Sequence, residues 1–293
     1  MKKVLFILLA VVVLLSGCGV QKQNTNSVNE PEGVVIALLD TGISLRAIDE
    51  KYILPGYNYT ENSENTEDRI NHGTAAASVI VGSAPAKVEG LAENVRLVPL
   101  VVLSKTEDGK QKSIDARTLA KAIRDSVDKY GADIINISFG IKKDVEEVRK
   151  AVAYAEKKGV LVVCAVGNSG NDRDIYYPAA YETVLAVGSH DKDGKLSDFS
   201  QRNGTADILA PGEDIWLASR NGKTYGTKGT SFAAAYASAA AAVLLFEYPD
   251  LLPQEIRECL IRSADKIEDE GATTDNAGIL NLEAAFAYAK EMK

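Results

Sequence analysis

The sequence predicts an α/β fold: a doubly wound, mainly parallel sheet with helices on both faces, in three layers. Three observations predict it. Apolar runs rich in β-branched residues recur at 34–39, 95–103, 134–138, 160–166 and 183–187, continuous rather than alternating, as in strands buried from both sides. Helical segments at 117–130, 145–158 and 232–246 lie among them, and such alternation implies right-handed βαβ crossovers around a parallel sheet. The composition, 46% hydrophobic and 25% charged over 293 residues, suits one or two globular domains and excludes disorder, a collagen repeat or a disulfide-stapled miniprotein.

The first segment precedes the fold. Lys2 and Lys3 lead into an apolar run at 4–15, about 12 residues, which as a helix reaches about 18 Å of a hydrocarbon core about 30 Å thick. A positive start, a short apolar run and small residues read as a secretory signal. Leu15-Ser16-Gly17-Cys18 resembles the bacterial lipobox, which implies cleavage before Cys18 and acylation of its thiol; the plainer alternative is an ordinary signal peptide with a chance Cys. The expected organisation is a lipoprotein signal peptide at 1–17, an acylated Cys18 with a flexible polar tether at 18–32, and a folded domain at 33–293. Two acyl chains suffice for stable membrane residence, so the expected location is the extracytoplasmic face of a bacterial cell membrane. The short stretch between Cys18 and Val34 leaves no room for a folding propeptide, and folding without one is expected.

Within the domain, the run at 34–39 reads as a buried strand ending in Asp40-Thr41-Gly42, and the run at 160–166 as another ending before Gly167-Asn168. In sheets of this kind the chemistry sits beyond the carboxyl ends of the strands. Cys164 falls in a strand and Cys259 on a helix; both read as small buried hydrophobes, with no bridge expected. Acidic residues number 41 against 33 basic, a net charge of −8 that repels phosphate backbones, so no nucleic acid partner is expected. The chain has 2 His: His72 precedes a small-residue helix, whereas His190 lies in the polar stretch Ser189-His190-Asp191 and reads as a surface loop.

Three segments carry the chemistry. Asp40 stands at a strand end, His72 in Asn71-His72-Gly73-Thr74 before a helix, and Ser231 in Gly229-Thr230-Ser231-Phe232-Ala233 at a helix start. Taken singly, each has a bland reading as a cap or turn residue. The chain order Asp, His, Ser is that of subtilisin, and the Ser segment lacks the Gly two residues after Ser that an α/β-hydrolase elbow needs.

These segments resemble the Asp, His and Ser motifs of the subtilisin-like serine endopeptidases, the subtilases of peptidase family S8. The resemblance runs from Gly33 to about Lys266 and includes Ile135-Asn136-Ile137-Ser138-Phe139-Gly140, Ala165-Val166-Gly167-Asn168, Tyr177-Pro178-Ala179 and Leu209-Ala210-Pro211-Gly212. It implies a subtilisin-like three-layer fold and an Asp40–His72–Ser231 triad. His72, with an unperturbed pKa of about 6.5, suits the general base and then the general acid; Asp40 would fix its tautomer, and Asn168 would join the Ser231 N–H in the oxyanion hole.

By the same resemblance, Ser138, Phe139 and Gly140 bind substrate backbone. The P1 pocket lies between that segment and Ala165, Val166 and Gly167, with Tyr176 near its floor, where it would shorten the pocket. Asp172 and Asp174 nearby raise a preference for basic residues against the plain reading of a solvated loop. The Tyr177–Pro178 bond is expected to be cis. Ala75 stands where the family usually has a second His, and Ala235 where it has Pro; neither change removes a catalytic group. No cofactor is expected: Asp49 matches a calcium-ligand position, which leaves calcium open, yet the loop 82–87 offers no acidic ligand.

The expected function is a monomeric, surface-tethered serine endopeptidase acting on peptide or protein substrates in extended form, its membrane partner reached through the lipid. Within the enzyme class the alternative is a dedicated leader-peptide maturation protease of the kind that processes lantibiotics. Outside it, the alternative is a catalytically silent peptide-binding lipoprotein.

Overall fold

The computed structural model describes residues 33–106, 108–267 and 277–293. The expected signal peptide, Cys18 and the tether to residue 32 lie outside the described residues.

In chain order the elements are β1 (Val34–Asp40), β2 (Tyr57–Asn58), α1 (His72–Val81), β3 (Val95–Val101), β4 (Leu103–Lys105), β5 (Gln111–Ser113), α2 (Ala116–Asp128), β6 (Ile134–Ile137), α3 (Glu146–Lys157) and β7 (Leu161–Ala165). They continue with β8 (Val184–His190), β9 (Ile208–Pro211), β10 (Ile215–Ala218), β11 (Thr224–Thr227), α4 (Thr230–Glu247), α5 (Pro253–Arg262), β12 (Gly278–Ile279) and α6 (Leu282–Met292). The central sheet has 8 strands in the order β12-β9-β8-β7-β6-β1-β3-β2, and every pairing in it is parallel. Two antiparallel hairpins, β4–β5 and β10–β11, stand apart from it.

All of β1 is buried because both faces of the sheet are covered. Successive side chains of a strand point to opposite faces. Val34, Ile36 and Leu38 join a core with α1, α4, α5 and α6, while Val35, Ala37 and Leu39 join a second core with α2 and α3. Each of the Val, Ile and Leu side chains stabilises the fold by about 1.5–3 kcal/mol relative to exposure. Cys164 lies in the second core and Cys259 in the first, so the sheet separates two free thiols. Burial pushes both thiols up.

Helix α4 crosses the middle of its layer. Its run of Ala residues from Ala233 to Ala242, broken by Tyr236 and Ser238, lets the helix approach β6, β7, β8 and β9 closely. It is apolar enough to cross a membrane by composition, and it is instead a core helix. The Tyr177–Pro178 bond is cis.

One sequence expectation fails here. His190 is not in a loop: it is the last residue of β8, paired with Pro211 of β9, and its Nε2 is buried with no hydrogen-bond partner. Polar neighbours concealed a strand whose length is set by pairing with β9.

Candidate active site

After β1 the chain forms β2 and β3 on one side and then crosses to β6 on the other, so the strand order reverses at β1 and β6. Ligand crevices in open α/β sheets form beyond the carboxyl ends of the strands at such a reversal. Asp40 ends β1, Ser138 follows β6, Asn168 follows β7, His72 opens α1 and Ser231 sits in the first turn of α4.

The imidazole of His72 meets Asp40 through Nδ1, at 2.8 Å from Oδ1 and 2.9 Å from Oδ2. A carboxylate can only accept, so Nδ1 carries the proton and Nε2 keeps a lone pair for chemistry. Burial pulls the His72 pKa down, but the charge and hydrogen bond of Asp40, with a further contribution from Asp68, raise it above the usual histidine value. The Phe232 ring lies 5.2 Å from the imidazole and covers one side of it.

Helix α1 starts on Asn71, which has φ 103° and gives no side-chain cap. Its first N–H donors find partners elsewhere: Gly73 N donates to Thr41 Oγ1 at 2.8 Å, and Thr74 N to Asp68 Oδ2 at 2.9 Å. Position 73 must be glycine, since a Cβ there would stand 2.2 Å from the Gly42 carbonyl oxygen and 3.2 Å from Asp40 Oδ1. That close approach lets the helix start reach the strand end.

Ser231 Oγ donates to the Ser138 carbonyl at 2.8 Å, and Ser138 Oγ donates back to the Ser231 carbonyl at 3.1 Å. A hydroxyl has one proton, so in this conformation it is not given to His72. Ser138 Oγ also accepts from Asn136 Nδ2, whose Oδ1 accepts from Ser238, so a buried polar chain fastens α4 to β6. Asn168 Oδ1 accepts from Thr230 N at 2.9 Å and Thr230 Oγ1 at 2.8 Å. Those two donors fix the amide orientation, and a Cβ on Gly229 (φ 154°) would approach the amide Nδ2 to 3.4 Å. The amide Nδ2, with no hydrogen-bond partner among the described residues, is left beside Gly229 at the N-terminal end of α4, an end that favours negative charge.

The remaining expected contact residues flank this crevice. Ala165 and Val166 are buried, and the Val166 side chain belongs to the core with α2 and α3, so only its main chain borders the slot. Phe139 packs against the same core. Tyr176 lies between Gly140 and Gly167: a Cβ on Gly140 would be 2.9 Å from the Tyr176 Cβ, and one on Gly167 2.6 Å from its Cδ2. Its hydroxyl is 2.8 Å from Ser169 Oγ. Asp174 is held by Lys142 at 2.8 Å, which lowers its pKa, and Asp172 is a surface carboxylate beside Arg173. Asp174 thus has a cationic partner, while Asp172 and Arg173 are both largely solvent-exposed. Asp49 accepts from Lys51 N, and among the described residues no three His, Cys, Asp or Glu side chains are grouped to hold a metal.

Sequence reasoning missed Asp68, Asn136 and the hydroxyls of Thr41 and Thr230. Asn136 carried a signal, as the one polar residue inside an apolar strand run.

A parallel sheet that gathers Asp, His and Ser from separate strand and helix ends defines a serine hydrolase of the three-layer α/β type. Residues 31–283 match the subtilase family, peptidase S8, and the chain belongs to it: it is a subtilisin-like serine protease. It is 33% identical over 260 residues to the thermophilic serine proteinase of Bacillus sp. (strain AK1), covering 87% of this chain and 62% of that one. It is 37% identical over 224 residues to the major intracellular serine protease of Bacillus subtilis (strain 168), covering 73% and 68%. Among solved structures, the S218A mutant of the protease domain of PatA superposes with a TM-score of 0.76 at 31% identity, covering 92% of this chain and 99% of that one. The prenylagaramide maturation protease PagA gives 0.74 at 29% identity, covering 89% and 94%.

Proposed function

We propose that the chain is an endopeptidase that cuts extended peptide segments through Ser231, His72 and Asp40, with Asn168 and the Ser231 N–H as oxyanion donors. The observation that carries this reading is the His72–Asp40 pair standing at the same strand-end crevice as Ser231 and Asn168. Ser231 attacks the scissile carbonyl as its proton passes to His72 Nε2; the imidazolium then protonates the leaving amine, and water repeats the sequence on the acyl-enzyme. Ser231 Oγ must first turn from the Ser138 carbonyl. A substrate laid antiparallel along Ser138-Phe139-Gly140 brings its own N–H donors to that strand and can take over that acceptor. Tyr176 fills the slot between Gly140 and Gly167, which favours small P1 residues.

The lipobox-like segment supports anchoring through Cys18 on the outer face of a bacterial membrane. The likeness to PatA and PagA, both named maturation proteases, supports a second reading in which the substrate is one dedicated leader or precursor peptide.

The test is labelling of the full chain with a fluorophosphonate, beside Ser231→Ala. Labelling lost in the variant supports the reading. A folded, unlabelled wild type overturns it in favour of a silent peptide-binding lipoprotein. A P1 peptide library should show cleavage after Gly, Ala or Ser, with Tyr176→Gly extending it to larger residues; an unchanged profile refutes the role of Tyr176. Cys18→Ala should move the protein from the membrane to the soluble fraction, and retention in the membrane refutes the anchor.

A further inference from the structure

Asp68 is fully buried, 0% exposed, and enters no ion pair among the described residues. Its Oδ1 accepts from Thr41 Oγ1 at 2.9 Å, Ile70 N at 2.8 Å and Asn71 N at 2.8 Å, and its Oδ2 from Thr74 N at 2.9 Å and Thr74 Oγ1 at 2.7 Å. A buried carboxylate is costly unless hydrogen bonds replace its water, and here every contact is a donor. The donors flank the reacting pair: Thr41 follows Asp40, while Asn71 and Thr74 bracket His72. Thr41 Oγ1 faces two ways, giving its proton to Asp68 and accepting from Gly73 N at 2.8 Å. Because Asp68 can only accept, it dictates that direction and leaves the hydroxyl lone pair for Gly73.

We propose that Asp68 and Thr41 are positioning residues, which together set where the His72 imidazole stands relative to Asp40. The inference rests on His72 acting as the base of the proposed reaction. Asp68 does the work that an ordinary cap residue would do at Asn71, and it does so for two segments at once. An amide at position 68 would turn a donor toward Thr41 or Thr74 and reverse the order of the bonds. The charge of Asp68 also helps to raise the His72 pKa. The other charged or titratable groups close to this corner are Asp40 from β1, Glu67 bonded to Ser44, Arg220 from the β10–β11 turn, whose Nη1 is 3.5 Å from the Asp68 carbonyl oxygen, and Tyr225 from β11. A fall in the base's pKa on changing Asp68 reports the lost charge of Asp68 together with any displacement of His72 from Asp40, and the proposal predicts both in the same direction.

The experiment measures the rate of fluorophosphonate labelling of the full chain against pH, with melting curves to establish folding. Thr41→Val keeps the shape and deletes the link to Gly73. It should slow labelling by about 10- to 100-fold, the scale of a small misplacement of a reacting group, and Thr41→Ser should restore most of it. Asp68→Asn should move the acid inflection to lower pH. A folded Thr41→Val with wild-type rates, or a loss that Ser does not restore, overturns the proposal, as does a labelled Asp68→Asn with an unmoved inflection. If Asp68→Asn does not fold, the Thr41 pair decides. A wild type that is not labelled overturns the assignment of His72 itself, a separate failure.

Discussion

Asn168→Ala separates two things that one side chain does. Its Nδ2 is the proposed oxyanion donor, and its Oδ1 holds the N–H and hydroxyl of Thr230, a residue 0% exposed. Truncation removes the proposed oxyanion donor, and the expected factor is the one established for such a donor in subtilisin, about 10²–10³ in kcat. Truncation also leaves the buried Thr230 N–H without its acceptor, costing about 1–3 kcal/mol of stability. For a domain of this size that lowers Tm by roughly 2–10 °C. The assay is steady-state hydrolysis of a small-P1 peptide ester, with KM and kcat resolved, beside a melting curve. The loss should fall on kcat with KM nearly unchanged, because the developing oxyanion exists only after attack. A kcat within about threefold of wild type, or a loss confined to KM, refutes the oxyanion assignment.

Three further outcomes are expected. The acid limb of the pH–rate profile should have its inflection above about 6.5, since the base is raised, and Asp40→Asn should lower it; an inflection unmoved in that variant counts against the pair. A raised histidine stabilises the fold fully below its unfolded value and loses that contribution as pH rises through the folded value, so His72→Gln should cost more Tm at pH about 5.5 than at about 8.5, and equal costs refute the linkage. Gly73→Ala should slow labelling by about 10², because the 2.2 Å contact is with main chain that cannot yield without moving His72; near-normal labelling refutes it.

The parts of the site that were legible in the sequence are those whose meaning is local. A carboxylate ending a buried run, an imidazole before a small-residue helix and a hydroxyl opening an Ala-rich helix can each be read within about ten residues. Asp68 could not be read that way, because its meaning lies in joining Thr41, 27 residues back, to the local donors at 70, 71 and 74, and only folding brings them together. The same holds for the reciprocal bonds of Ser138 and Ser231, 93 residues apart. Among the elements, long buried strands were visible as runs, while β2 and β12, of 2 residues each, carry no period to detect. The β10–β11 hairpin alternates buried and exposed positions too weakly to stand out, with Trp216 exposed on it.

The direction of β1 has a consequence for how the enzyme meets its substrates. The described domain enters at the amino end of this central strand, and Asp40 lies at the other end, so about 20 Å of strand separates the point of entry from the reacting groups. A tag or matrix joined ahead of Val34 therefore meets the domain at the end of the strand opposite the reacting groups.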